Sequence, residues 1–254
     1  MRRNLFMAAA MVIAAITARP ADAGTIVRFT ISGVGFDVRL FDETTPSTVQ
    51  NFLKYVDAGS YVGTVIHRSV PGFIWQGGGF RLDGNPTQAV PIDTFAPVVN
   101  EPVYSNVRGT IAMAKIAPFD DFGNPIPGGG PDSATSQWFF NLADNSANLD
   151  FQNGGFTVFG EVIDGGMEVV DLIASLPTDN FSGGLGPYGG NFTSTPYYLA
   201  GGQPNALIVE SIVAVPEPST LALGLMGLVM CGPCALRIRG RELNILKRCI
   251  SSRS

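Results

Sequence analysis

Glycine and proline interrupt this chain so often that little room is left for long helices. The 254 residues include 31 Gly and 18 Pro, and in a helix interior Gly costs about 1 kcal/mol and Pro about 3 kcal/mol relative to Ala. A coiled coil or helical bundle is excluded on that ground. Between the interruptions, residues 24–215 carry eight short runs of β type, at 25–31, 36–41, 62–70, 72–78, 109–116, 136–142, 156–163 and 206–213. TIVRFTI and FDVRLF alternate apolar and polar residues around Ser32-Gly33-Val34-Gly35 and read as a hairpin. Only two segments have helical spacing. Thr45-Pro46 offers an N-cap and a proline at the first helical position, followed by Val49, Phe52, Leu53 and Val56, with Gly59 as a stop. The second places Met167, Val170, Ile173 and Ala174 on one face and ends at Pro177. Eight strands with two helices predict a mainly β fold, a closed barrel with capped ends. The Gly/Pro-rich stretches 118–132 and 178–205 are expected to be surface loops.

The two ends read differently. Arg2 and Arg3 precede an apolar run from Leu5 to Ile16, and Ala21-Asp22-Ala23 is a small-residue cleavage site. This is the pattern of a secretory signal over 1–23, with the mature domain spanning 24–215. At the other end, within 216–254, Pro216-Glu217-Pro218 precedes an uncharged apolar run, Leu221 to Leu236, followed by Arg237, Arg239 and Arg241. Such a run is near the lower limit for a membrane span, and its basic flank would stay in the cytoplasm. The order resembles the PEP-CTERM sorting tail of Gram-negative bacteria. That resemblance implies an exosortase-like processing enzyme and membrane contact only through the tail before processing. It implies a final place in the periplasm, at the cell surface or in the extracellular matrix. Cys231, Cys234 and Cys249 all lie in this tail, so the domain has no disulfide framework. Cys231-Gly232-Pro233-Cys234 has redox spacing but lacks the βαβ setting that redox chemistry needs. The net charge of −5 becomes −11 for residues 24–215 once the basic ends are set aside. An acidic domain is a poor partner for nucleic acid.

The densest motif is VIHRSVPGFIWQGGGF, residues 65–80. It resembles the cyclophilin signature FHRxxPxFxxQGG. RGTIAMAK (108–115), SATSQWFFNL (133–142) and NLDFQNGGFTVFGEVIDGGMEVVD (148–171) are similar to three further blocks of that family, in family order. The resemblance implies an eight-stranded antiparallel barrel capped by two helices. It also implies peptidyl-prolyl cis-trans isomerase activity on X–Pro bonds of exported proteins, with proline-containing peptides or proteins as partners and no cofactor. Carried residue by residue, it places the catalytic arginine on Arg68, with Gln76 orienting it or the substrate carbonyl. The proline pocket falls on Phe73, Ile74, Met113, Ala114, Phe139, Leu149 and Phe156. Three positions depart from the family: Lys115 stands for an asparagine, Asn148 for a tryptophan and Phe156 for a histidine. His67 is the only histidine and reads as structural. With no cysteine in the domain, a zinc site is not expected. Two other readings stay open on the sequence: a barrel that holds proline peptides without turnover, and a structural protein of the extracellular matrix.

Overall fold

Ser32 and Gly33, at φ 45° and 83°, make the tight turn between β1 (Ile26–Ile31) and β2 (Val34–Leu40). Two consecutive positive φ angles give a turn whose twist matches that of the flanking strands. The computed structural model describes residues 24–82, 88–183 and 186–216. The expected signal segment and the tail from 217 onward, with its cysteines, lie outside the described residues. Six more strands join the first two: β3 (Arg68–Val70), β4 (Ile74–Gly77), β5 (Thr110–Met113), β6 (Trp138–Asn141), β7 (Val158–Ile163) and β8 (Val209–Val215). All eight expected runs fall in one antiparallel sheet, in the order β8-β1-β2-β7-β5-β6-β4-β3.

Period-two alternation builds the core. β1 turns Val27, Phe29 and Ile31 inward, and β2 turns Val34, Phe36, Val38 and Leu40 inward, all buried. They meet Trp75, Trp138 and Phe140, and the rings of Phe29, Phe36, Trp75, Trp138 and Phe140 contact one another at centroid distances of 4.6 to 6.3 Å. Most of these contacts are edge-to-face, an arrangement that adds about 0.5–1.5 kcal/mol per pair beyond area burial. Helix α1 (Pro46–Asp57) buries Val49, Phe52 and Tyr55 against this core. Thr45 stands at its N-cap, but its hydroxyl donates to the Phe41 carbonyl. The Glu101 carboxylate instead accepts from the N–H groups of Ser47 and Thr48 at 3.3 and 2.9 Å, meeting the positive end of the helix. A single turn, α2 (Ser146–Leu149), precedes α3 (Met167–Ala174), which buries Val169, Val170 and Ile173. Trp75 Nε1 donates to the Val170 carbonyl at 3.3 Å.

The barrel is not fully closed, contrary to the sequence expectation. Its two end strands, β8 and β3, share no ladder; an isolated bridge between Val65 and Ile208 links the two edges, with Ile66 N–H donating to Leu207 and Val209 N–H to Thr64. The run 62–70 becomes regular only at Arg68, so too few of its residues can extend a ladder. The stretch 178–205 is also more than a loop. Thr178–Asp179, Thr195–Ala200 and Gln203–Ala206 form a three-stranded sheet. Next to it, Ser69 N–H donates to Ser194 at 2.7 Å and Thr195 Oγ1 to His67 at 2.8 Å. These bonds cover the open edge of β3, which would otherwise present unpaired backbone groups.

Candidate active site

The strands that send their large rings into the core send a second set of side chains the other way. β4 buries Trp75 inward, so Ile74 and Gln76 face outward. β6 sends Trp138 and Phe140 inward and Phe139 outward, and β5 sends Ile111 and Met113 inward and Ala112 outward. The register places Arg68 opposite Gln76, Gln76 opposite Phe139 and Phe139 opposite Ala112. One row of outward side chains therefore crosses β3, β4, β6 and β5. Gly78 lets the chain leave β4 at this point. It has φ 78°, and a Cβ there would lie 2.5 Å from Trp138 Nε1.

Over this row lies a cavity of about 210 Å³. That is smaller than the ~300–1,000 Å³ of pockets for drug-sized ligands and suits part of a peptide. It brings together eight of the nine expected residues: Arg68, Phe73, Ile74, Gln76, Ala114, Phe139, Leu149 and Phe156. Met113 is not among them. It is fully buried in the main core, because the alternation that turns Ala112 outward turns Met113 inward. Lys115, which stands where the family has an asparagine, and Gln152, which the sequence did not single out, complete its lining.

Local bonds hold the walls. Phe73 follows Gly72, at φ 73°, and its N–H donates to Val70 at 3.0 Å. Asn145 Nδ2 donates to the Phe73 carbonyl at 2.9 Å and to Asn141 Oδ1 at 2.8 Å. Leu149 N–H donates to Asn145, and Phe156 N–H to Leu149. The Phe156 ring then meets Phe139 edge-on at 5.7 Å and 76°. None of these asparagine contacts has a signal in the sequence, because each depends on how the 141–156 segment folds back.

The Arg68 guanidinium lies 5.9 Å from the centroid of the Phe73 ring. Among the described residues it makes no ion pair. Burial lowers its pKa, yet a guanidinium stays charged at any physiological pH. Gln76 Nε2 donates to Gln137 Oε1 at 2.8 Å, which fixes the orientation of its amide. His67 points to the other side of the strand. It is 1 % exposed, with Phe80 and Phe192 at 5.1 and 5.8 Å. Burial pushes its pKa down to about 3, against the effect of a backbone bond to Val65, and the Arg68 charge adds to the drop. The ring is therefore neutral and structural. Among the described residues no group of three or more His, Cys, Asp or Glu is placed to hold a metal.

A second hollow, about 760 Å³, is lined by Arg39, Phe41, Asp42, Glu43, Tyr104 and Glu161 among others. Here Arg39 pairs with Glu161 at 3.3 Å. Asp42 accepts from the N–H and hydroxyl of Thr25 at 2.6 and 2.9 Å.

Fold and cavity together define a capped antiparallel half-barrel with an aromatic slot and, on its outer face, a guanidinium that makes no ion pair among the described residues. The family model described as cyclophilin type peptidyl-prolyl cis-trans isomerase/CLD matches residues 26–186. Peptidyl-prolyl cis-trans isomerase A of Dickeya dadantii (strain 3937) is 40% identical over 190 residues, covering 72% of this chain and 88% of that relative. Peptidyl-prolyl cis-trans isomerase B of Escherichia coli (strain K12) is 39% identical over 147 residues, 56% of this chain and 79% of that one. A crystal structure of a Cryptosporidium parvum cyclophilin type peptidyl-prolyl cis-trans isomerase shares the fold, with a TM-score of 0.51 at 22% identity, over 76% of this chain and 99% of that one. The chain belongs to the cyclophilin-type peptidyl-prolyl cis-trans isomerase family.

Proposed function

We propose that this protein accelerates the cis-trans isomerisation of X–Pro bonds in exported proteins, with Arg68 as its catalytic residue. The observation that carries this reading is a partly buried guanidinium, unpaired among the described residues, beside an apolar slot walled by Phe73, Ile74, Phe139, Leu149 and Phe156. Amide resonance sets a rotation barrier of ~18–20 kcal/mol, while the two prolyl isomers differ by only ~0.5–1 kcal/mol. The reaction has no net chemistry, so a catalyst need only bind the twisted amide better than either planar form. In the twisted state the proline nitrogen regains its lone pair. A guanidinium N–H donates to that lone pair and weakens the remaining resonance. The apolar walls hold the prolyl ring while the preceding carbonyl turns, and Gln76, its amide fixed by Gln137, orients Arg68 or that carbonyl. Ala114 borders the slot where the peptide backbone passes. The partly desolvated charge interacts more strongly with the reacting amide than it would in water.

Export is supported by the basic, apolar and Ala-x-Ala pattern of residues 1–23. The tail supports membrane contact before processing by an exosortase-like enzyme, and release to the periplasm, cell surface or matrix of a Gram-negative bacterium. Exchange NMR on an Ala-Pro peptide with purified 24–215 tests the activity; absence of catalysis with retained peptide binding would leave a binding module instead. Intact-mass analysis of the exported form tests the processing. The expected species lacks residues 1–23 and Cys231 and Cys234, and a full-length tail on exported protein would overturn the sorting reading.

A further inference from the structure

The charge of the cavity is opposite to that of its domain. Residues 24–215 carry a net −11, yet the cavity lining contains two cations, Arg68 and Lys115, and no carboxylate. Lys115 leaves the end of β5 and bends over the slot, with its Nζ 4.9 Å from the centroid of the Phe156 ring. It donates to the Asn153 carbonyl at 2.7 Å and to the Gly155 carbonyl at 2.5 Å. An ammonium has three N–H donors, so these two bonds leave one for a ligand. Among the described residues Lys115 has no ion-pair partner. Asp132 is near enough to favour its charge but is engaged elsewhere, with Oδ1 accepting from Asn100 N–H at 2.8 Å. Burial is the larger effect and brings the Lys115 pKa down to about 8, so at neutral pH a cation is held there with part of its hydration missing.

Resting on the isomerase reading above, we infer that the cavity selects proline bonds flanked by an acidic residue, whose carboxylate takes the remaining donor of Lys115 while Arg68 serves the amide. An incoming carboxylate restores the solvation that burial removed from the ammonium and makes a charge-assisted hydrogen bond. A neutral or basic neighbour does neither. The chain itself holds such a sequence, Val215-Pro216-Glu217-Pro218-Ser219, which supplies a natural probe.

The test uses peptides with Glu, Gln, Ala or Lys placed directly before or directly after one proline. Dissociation constants come from titration and turnover from exchange NMR. Glu should exceed its isostere Gln by about fivefold in kcat/KM and in affinity at low salt, the upper end for a solvent-accessible ion pair, and Lys should fall below Ala. The advantage should shrink as salt rises. Lys115→Gln should bring the Glu-to-Gln ratio to about one, while Lys115→Arg keeps it. Damage to the 153–155 loop would lower all peptides alike and leave the ratio unchanged, so the ratio separates charge from scaffolding. Val-Pro-Glu-Pro-Ser should compete for the cavity better than Val-Pro-Gln-Pro-Ser. A flat ratio on the unmodified protein with normal turnover, or a ratio that survives Lys115→Gln, overturns the inference and leaves the isomerase reading standing. If no peptide turns over, the isomerase reading falls, and the affinity ratio still decides the selectivity.

Discussion

The two hollows described above are about 760 and 210 Å³ in volume, and the smaller one holds two cations without an ion-pair partner among the described residues. In the larger, Arg39 is paired with Glu161 and Asp42 closes on Thr25. Its one cation is thus already satisfied within the protein and has little left to offer a ligand. In the smaller, Arg68 and Lys115 have no ion-pair partner among the described residues, and the walls are aromatic. On the proposed function, cations without an ion-pair partner among the described residues, and not volume, mark the functional surface.

The sharpest way to break this comparison is to remove one guanidinium from each hollow. Arg68→Ala should cost about 10²–10³-fold in turnover, the usual loss for a donor aimed at the reacting group, with the thermal melt unchanged. Arg68→Lys should recover little, because an ammonium lacks the planar fork. Arg39→Ala, measured in the same exchange-NMR assay, should leave turnover unchanged. Equal losses at the two positions would end the distinction.

A second measurement asks whether the cavity wall leans on a neutral ring behind it. The folded-state pKa of His67 is lowered from 6.5 to about 3 by burial, so between those values the unfolded chain binds the extra proton. The contribution of His67 is therefore fully present above pH 6.5 and is lost as pH falls toward 3. Denaturant midpoints of the 24–215 domain should drop from pH 7 to pH 4.5. His67→Phe, which keeps a ring between Phe80 and Phe192, should flatten that drop. An equal slope in both proteins would refute it.

The larger hollow gives the smaller effects. Asp42→Ala removes both acceptors of Thr25 and should cost about 1–2 kcal/mol of stability with normal turnover. Breaking the Arg39–Glu161 pair, whose side chains are 39% and 45% exposed, should cost at most about 1 kcal/mol. Both are read from denaturant melts.

Much of the fold was readable before the structure, because a buried face imposes period two on a strand and Phe29, Phe36 and Val38 obey it. The seam was not. Whether β3 and β8 zip together depends on the irregular backbone at 63–66, which no local pattern encodes. The three-stranded sheet at 178–206 was hidden for a related reason: its strands carry Pro, Thr and Tyr without period-two alternation and pair with one another instead of with the main sheet. At the site, Arg68, Phe73 and Phe139 were reached through motif resemblance. Met113 was misplaced although alternation alone, with Ala112 and Ala114 on one face, assigns it to the other. Lys115 was reached through the same resemblance, whereas Gln152 meets the cavity only once the 150–156 segment has folded over it, and adjacency of that kind leaves no trace in spacing.

The pairing of Ile26 with Val215 sets a clock as well as a shape. β1 finds β2 at once, through a two-residue turn, but its other flank belongs to β8, the last strand of the domain to be made. Contacts between such distant residues form slowly, and until they do β1 presents an open edge able to recruit another strand. A chain threaded through a narrow passage, N-terminus first, would carry that edge uncovered through the whole transit and complete its sheet only after the final strand emerged.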